Sequence, residues 1–109
     1  MKLFRNALGE RRSRGALRAV WNGAVLAESS RTVVVEGNHY FGEDVNWDLL
    51  EPDERRTYCP WKGEADYLTA VVGDRRGEAV AWRYRSPKPA VAEIEDRLAF
   101  WGDVRVEEG

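Results

Sequence analysis

Alternation of apolar and polar residues dominates this chain. Over residues 78–84, Val80, Trp82 and Tyr84 fall on one side and Ala79, Ala81 and Arg83 on the other, the two-residue period of a half-buried strand. Residues 16–21 and 24–28 flank Asn22-Gly23, a pair suited to the positive φ angles of a type I′ turn, and so predict a hairpin. A two-residue loop would set Trp21 opposite Ala24, Ala19 opposite Leu26 and Leu17 opposite Glu28. Leu17, Ala19, Trp21 and Leu26 then form a core-facing patch. The β-branched run 32–36 predicts a third strand, Gly37-Asn38 a turn, and His39-Tyr40-Phe41 a short extended piece.

Further along, Asp44 or Asn46 can cap a short helical turn running through Leu50, which Pro52 would end. Residues 65–72 are apolar on both faces, as in a central strand, and the polar loop 73–77 leads back into the 78–84 strand. After Pro87 and Pro89, the residues Val91, Ile94 and Leu98 recur at helical spacing and Glu93 can pair with Arg97, which predicts a helix over 90–98. Ala99-Phe100-Trp101 and the alternating Val104, Arg105 and Val106 read as terminal strands. Residues 1–15 carry Leu3, Phe4 and Leu8 among Lys2, Arg5, Arg11, Arg12 and Arg14, too little apolar surface to offset the entropy of ordering. They read as a flexible basic arm, leaving a mainly antiparallel β domain over 16–109 with one short helix in its C-terminal half.

Composition changes this picture in three ways. At 109 residues the chain has room for one modest core and no second domain. A net charge of −2 supplies no field to draw it onto nucleic acid or an anionic membrane, and the basic arm has no aromatic stacking platform beside it. A single cysteine excludes an internal disulfide; with no apolar signal segment after Met1, a reducing cytoplasm is the expected setting.

Candidate chemistry gathers in Cys59-Pro60-Trp61-Lys62-Gly63-Glu64-Ala65-Asp66-Tyr67 and in the Trp82 and Tyr84 strand. Cys59 is the candidate nucleophile and His39 the one histidine that can serve it as a base; the competing reading makes Cys59 a small buried residue of the turn. Lys62, in a glycine-bounded turn, either holds a carboxylate or phosphate or is solvated as turn lysines commonly are. Glu36, His39 and Asp44 are polar residues near a sheet edge, where they are either simply solvated or serve as acid and base. Five tryptophans in so short a chain, Trp61, Trp82 and Trp101 among them, serve either as core or, with Tyr67 and Tyr84, as walls of a pocket. One Cys and one His cannot furnish a closed four-ligand zinc site, and no phosphate-cradling glycine loop is present, so no metal or cofactor is expected.

The 59–67 segment, Ala81-Trp82 with Tyr84, Asn22-Gly23 with Ala27-Glu28-Ser29, Tyr40-Phe41, Asp44-Val45, Leu49-Leu50 and Ala99-Phe100-Trp101 occur in the order of a known signature. In these residues the chain resembles the domain of unknown function 427 family of small bacterial proteins, sometimes labelled nucleotidyltransferase-like. The resemblance implies a β-tent-like fold of coiled antiparallel sheets, and no fixed activity. The chain departs from the commoner family pattern before Asp44, where the short Gly42-Glu43 replaces a proline-bearing loop with a basic residue.

Two functions follow as expectations. The first is a small-molecule-binding domain, with or without weak enzymatic activity, whose Lys62, Tyr67, Trp82, Tyr84 and His39 converge near Cys59 on a small anionic ligand. The second is a non-catalytic domain that presents a β surface to a protein partner.

Overall fold

The computed structural model describes residues 10–108, and within them the chain forms one antiparallel sheet of eight strands. These are β1 (Glu10–Trp21), β2 (Ala24–Val35), β3 (Asn38–Phe41), β4 (Leu50–Cys59), β5 (Gly63–Val72), β6 (Arg75–Tyr84), β7 (Leu98–Phe100) and β8 (Arg105–Glu108). Their order across the sheet is β4-β5-β6-β7-β3-β2-β1-β8. The mainly β fold class stands, as a single sheet of hairpins joined in the middle by the short β7.

Asn22 and Gly23, at φ 52° and 79°, make the expected I′ turn, and Trp21 faces Ala24. A bulge between Ala19 and Val20 then shifts the pairing, so that Ala19 faces Ala27 and Leu17 faces Ser29. The apolar patch survives the slip: Ala19, Trp21 and Leu26 are buried together and Leu17 packs against them. The separate third strand expected over 32–36 is the far half of the long β2, and the turn that follows is built on Glu36-Gly37 rather than Gly37-Asn38. β1 begins at Glu10, ahead of the expected start at Ala16, with Glu10 opposite Val33; the rest of the expected basic arm, with Leu3, Phe4 and Leu8, lies outside the described residues.

Three further expectations change. Pattern alone gave no sign of β4, an edge strand with no fully buried residue and most of its residues exposed, so its charged sequence does not alternate. The five-residue loop at 73–77 is a two-residue turn, Gly73-Asp74, with Val72 opposite Arg75. The expected helix over 90–98 is only two 3-10 turns within Pro89–Ile94, broken at Val91 (φ −128°). Val91 and Ile94 are buried as their spacing implied, but Leu98 is taken into β7, and Arg97 donates its Nε–H to the Glu93 carbonyl at 2.9 Å. The turn after Asn46 is also 3-10, over Trp47–Leu49, with no side-chain cap.

Buried residues lie on both faces of the sheet, and strand alternation sorts the core into two clusters. Leu98 and Phe100 of β7 join Trp21, Leu26, Phe41, Leu68 and Val80 in the first; Ala99 joins Val33, Val35, Tyr40, Tyr84, Val91 and Ile94 in the second, with Tyr67 and Trp82 against it. Val80 does not lie with Trp82 and Tyr84 as simple alternation implied. A bulge at Ala79 (φ 53°) turns Val80 into the first cluster; the Ala79 N–H donates to Thr69 Oγ1 at 3.1 Å.

Candidate functional site

The turn between β4 and β5 is fixed by its own backbone. Cys59 faces Gly63 across the strand pair, and the Lys62 N–H donates to the Cys59 carbonyl at 3.2 Å. Gly63 takes φ 113°, and a β-carbon there would stand 3.4 Å from the Ser86 carbonyl oxygen, because the segment after β6 crosses over it. That segment is tied down by the Lys88 N–H to the Lys62 carbonyl at 3.0 Å and by Lys88 Nζ to the Pro60 carbonyl at 2.6 Å.

The turn delivers Lys62 inward. Although charged, Lys62 is only 8 % exposed. Its ammonium lies 5.7 Å from the centre of the Tyr84 ring and 5.4 Å from that of Trp61, within cation–π range of both. It is hydrogen-bonded and ion-paired to Glu36, whose side chain is 50 % exposed. Burial alone would pull the Lys62 pKa down; the hydrogen bond to Glu36, the neighbouring Tyr84 and Tyr40 phenols and the Glu36 charge outweigh it, and the pKa lies above the ordinary lysine value.

Around this cation the sheet order assembles a polar aromatic wall. Tyr67 and Trp82 are cross-strand partners, as are Ala65 and Tyr84. Trp82 meets Tyr40 edge-on, ring centres 6.2 Å apart, and its Nε1–H donates to the Tyr40 hydroxyl at 3.1 Å. The Tyr67 hydroxyl shares a hydrogen bond with Thr57 at 3.1 Å, and the Arg55 guanidinium lies 5.6 Å from its ring centre. Burial raises the pKa of Tyr84 and of Tyr40, against the opposing pull of Lys62 on both phenols, so each is a neutral hydroxyl at physiological pH. Cys59 stands two residues beyond Thr57 on β4, opposite Gly63, so alternation sets its side chain on the face of Ala65, Tyr67 and Tyr84.

Tyr84, Trp82 and Tyr67 therefore share one face of the sheet, with the Lys62 ammonium against the Tyr84 ring. His39 does not join them. It pairs with Val34, so alternation along β3 sets it on the other face from Tyr40, where its Nδ1 lies 2.7 Å from the buried Thr32 hydroxyl. A Cys59–His39 nucleophile and base pair is thereby not formed. Asp44 sits at φ 49° beside the Ala27–Val45 bridge, apart from the cluster, and Trp101 stands against Ala79 on the side of Trp21. Sequence reasoning missed Tyr40 as a member of the site, and it treated Glu36 as an acid or base rather than as the partner of Lys62.

A second polar group lies on the other side of β5. Asp66 accepts hydrogen bonds from Arg83 at 3.0 Å and from Arg85 at 3.3 and 3.4 Å. Burial pushes its pKa up, but these two arginines outweigh it and hold the carboxyl below the usual range. Asp66 and Arg85, with Arg56, Glu64 and Ser86, line a cleft of about 270 Å³. Lys62 does not line it; Glu36 closes over the ammonium instead. Among the described residues, no group of three or more His, Cys, Asp or Glu side chains is arranged to hold a metal ion, and no helix is long and apolar enough to cross a membrane.

Residues 10–108 match the model of the family described as Domain of unknown function (DUF427), and the chain belongs to that family. No curated protein matches it.

Proposed function

We propose that this member of the domain of unknown function 427 family is a small-molecule-binding domain that takes a small anion, a carboxylate or phosphate, at Lys62. The observation that carries the reading is the asymmetry of the Lys62–Glu36 pair. The ammonium is buried against aromatic rings, whereas its carboxylate partner is half exposed. Glu36 also holds the first position of an I′ turn at φ 55°, a conformation that suits Asn, Asp or Gly far better than glutamate. A ligand carboxylate can take the place of the Glu36 carboxylate, which then turns into water while the buried ammonium keeps an anionic partner. The exchange is close to balanced, and the rings of Tyr84 and Trp61 that already flank the ammonium supply the walls. Cys59 borders the site without a base, and no reaction is assigned to it.

Isothermal titration with acetate, succinate and inorganic phosphate tests this. Glu36→Gln, which unlocks the ammonium, should bind at least one of them more tightly than the unsubstituted chain, and Lys62→Met should abolish binding. If neither the native chain nor Glu36→Gln binds any of the three at millimolar concentration, the reading fails. The protein-interaction reading then takes its place, favoured by the exposed rings of Tyr58 and Trp61 at the end of edge strand β4.

A further inference from the structure

A second cleft, of about 340 Å³, lies between the ends of β1 and β6 and the turn after β7, away from Lys62. Two indoles are part of its lining, the buried Trp21 and the half-exposed Trp101. Trp21 packs flat on β6 because residue 77 is glycine: a β-carbon there would stand 3.0 Å from the Trp21 ring atoms Cε2 and Cζ2. Trp101 is fixed by its Nε1–H to the Ala79 carbonyl at 2.6 Å and by its backbone N–H to the Val80 carbonyl at 3.0 Å. Its polar handle is thus used internally while the ring stays 50 % exposed, so what it offers the cleft is a rigid apolar face. The peptide that holds it belongs to Ala79, a buried non-glycine residue kept at φ 53° by Thr69, and strain of this kind is stored where the surroundings over-determine it.

The charged lining is divided in a useful way. Arg76 is neutralised by Glu51 and Glu78 at 2.9 and 3.1 Å. Arg75 and Asp103 are exposed and have no ion-pair partner among the described residues. The cleft therefore presents aromatic walls, one uncommitted cation and one uncommitted anion, and its volume suits a single-ring ligand. A guanidinium is matched to a carboxylate and a carboxylate to an ammonium.

We propose that the cleft between Trp21 and Trp101 binds a small aromatic zwitterion, of the chemical class of a free aromatic amino acid, with its ring on the indoles, its carboxylate on Arg75 and its ammonium on Asp103. This site is separate from Lys62 and does not depend on the reading given to it. The probe is 4-fluoro-L-phenylalanine, followed by fluorine NMR line broadening on the full chain. Saturable broadening is expected, reversed by unlabelled L-phenylalanine and reversed far less by equal concentrations of acetate or phosphate, which lack the ring and the amine. Trp101→Leu should weaken binding by about tenfold or more. Should that variant fail to fold, the exposed charges keep the test alive. Asp103→Asn should weaken the zwitterion while leaving 3-phenylpropionate, which lacks the amine, unchanged; Arg75→Gln should weaken it while leaving phenethylamine, which lacks the carboxylate, unchanged. No broadening with the native chain, displacement as effective by acetate or phosphate as by L-phenylalanine, or binding unaltered in both charge variants would each overturn the proposal.

Discussion

Removing either partner of the Lys62–Glu36 pair should have unequal consequences. Glu36→Ala strands a buried ammonium, whereas Lys62→Met leaves a carboxylate that already reaches water. Taking one partner from a fully buried pair costs roughly 3–5 kcal/mol. Here the Glu36 side chain is 50 % exposed and solvent screens the pair, so the expected loss for Glu36→Ala is about 1–2 kcal/mol. Backbone strain does not confuse the comparison, because alanine is as poorly suited as glutamate to φ 55°. Lys62→Met keeps an unbranched side chain against Tyr84 and Trp61 and removes the desolvation cost of the ammonium, so its change should stay within about 1 kcal/mol.

The assay is urea denaturation of the native chain and both variants, at neutral and at alkaline pH. In the native chain the Lys62 pKa is raised, so its contribution is fully present below the unfolded lysine value of about 10.4 and is lost as pH climbs through the folded value. In Glu36→Ala the burial that pulls the pKa down is opposed less, the folded pKa falls, and the variant recovers stability as the ammonium discharges. The gap between the two should therefore narrow from neutral pH toward about pH 10. Equal losses in both variants, or a gap that does not change with pH, would refute the asymmetry and with it the reading of Glu36 as a displaceable partner.

Two more outcomes follow from the polar groups flanking β5 and β6. Asp66, with its lowered pKa, contributes stability that is present above the unfolded carboxyl value and lost as pH falls through the folded one; Asp66→Asn should be less stable by about 1–2 kcal/mol at neutral pH and should flatten the acid limb below about pH 4. Urea melts down the acid range check this, and parallel limbs for variant and native chain would contradict it. Trp82→Phe removes the donor to the Tyr40 hydroxyl, which is 0 % exposed and left unsatisfied, so a loss of about 1–3 kcal/mol is expected in a thermal or urea melt. A change under about 0.5 kcal/mol would mean that the hydroxyl finds another partner.

What the sequence determined by itself was local or periodic. Asn22-Gly23 specified its turn because few residue pairs tolerate two positive φ angles. The hairpin flanking that turn identified Ala19, Trp21 and Leu26 as core, a run apolar on both faces marked β5 as a central strand, and the ordered motifs identified the family. The same local signals failed where the cause was not local. β4 has no partner on one side and little to bury, so nothing in its composition marks it as a strand. The spacing of Val91, Ile94 and Leu98 fits a helix, yet Leu98 is drawn off to pair with Phe41 and Arg83, and the remainder closes as 3-10 turns. Each bulge changes which face a side chain takes without changing its hydropathy, which is how Val80 parted from Trp82. Tertiary structure alone decided the partners of Lys62 and Trp82. Only the placement of β7 between β6 and β3 brings Tyr40 to Trp82 and the Glu36 turn over Lys62, because pairing of distant strands is set by how the whole sheet buries its two faces and not by any one segment of the chain.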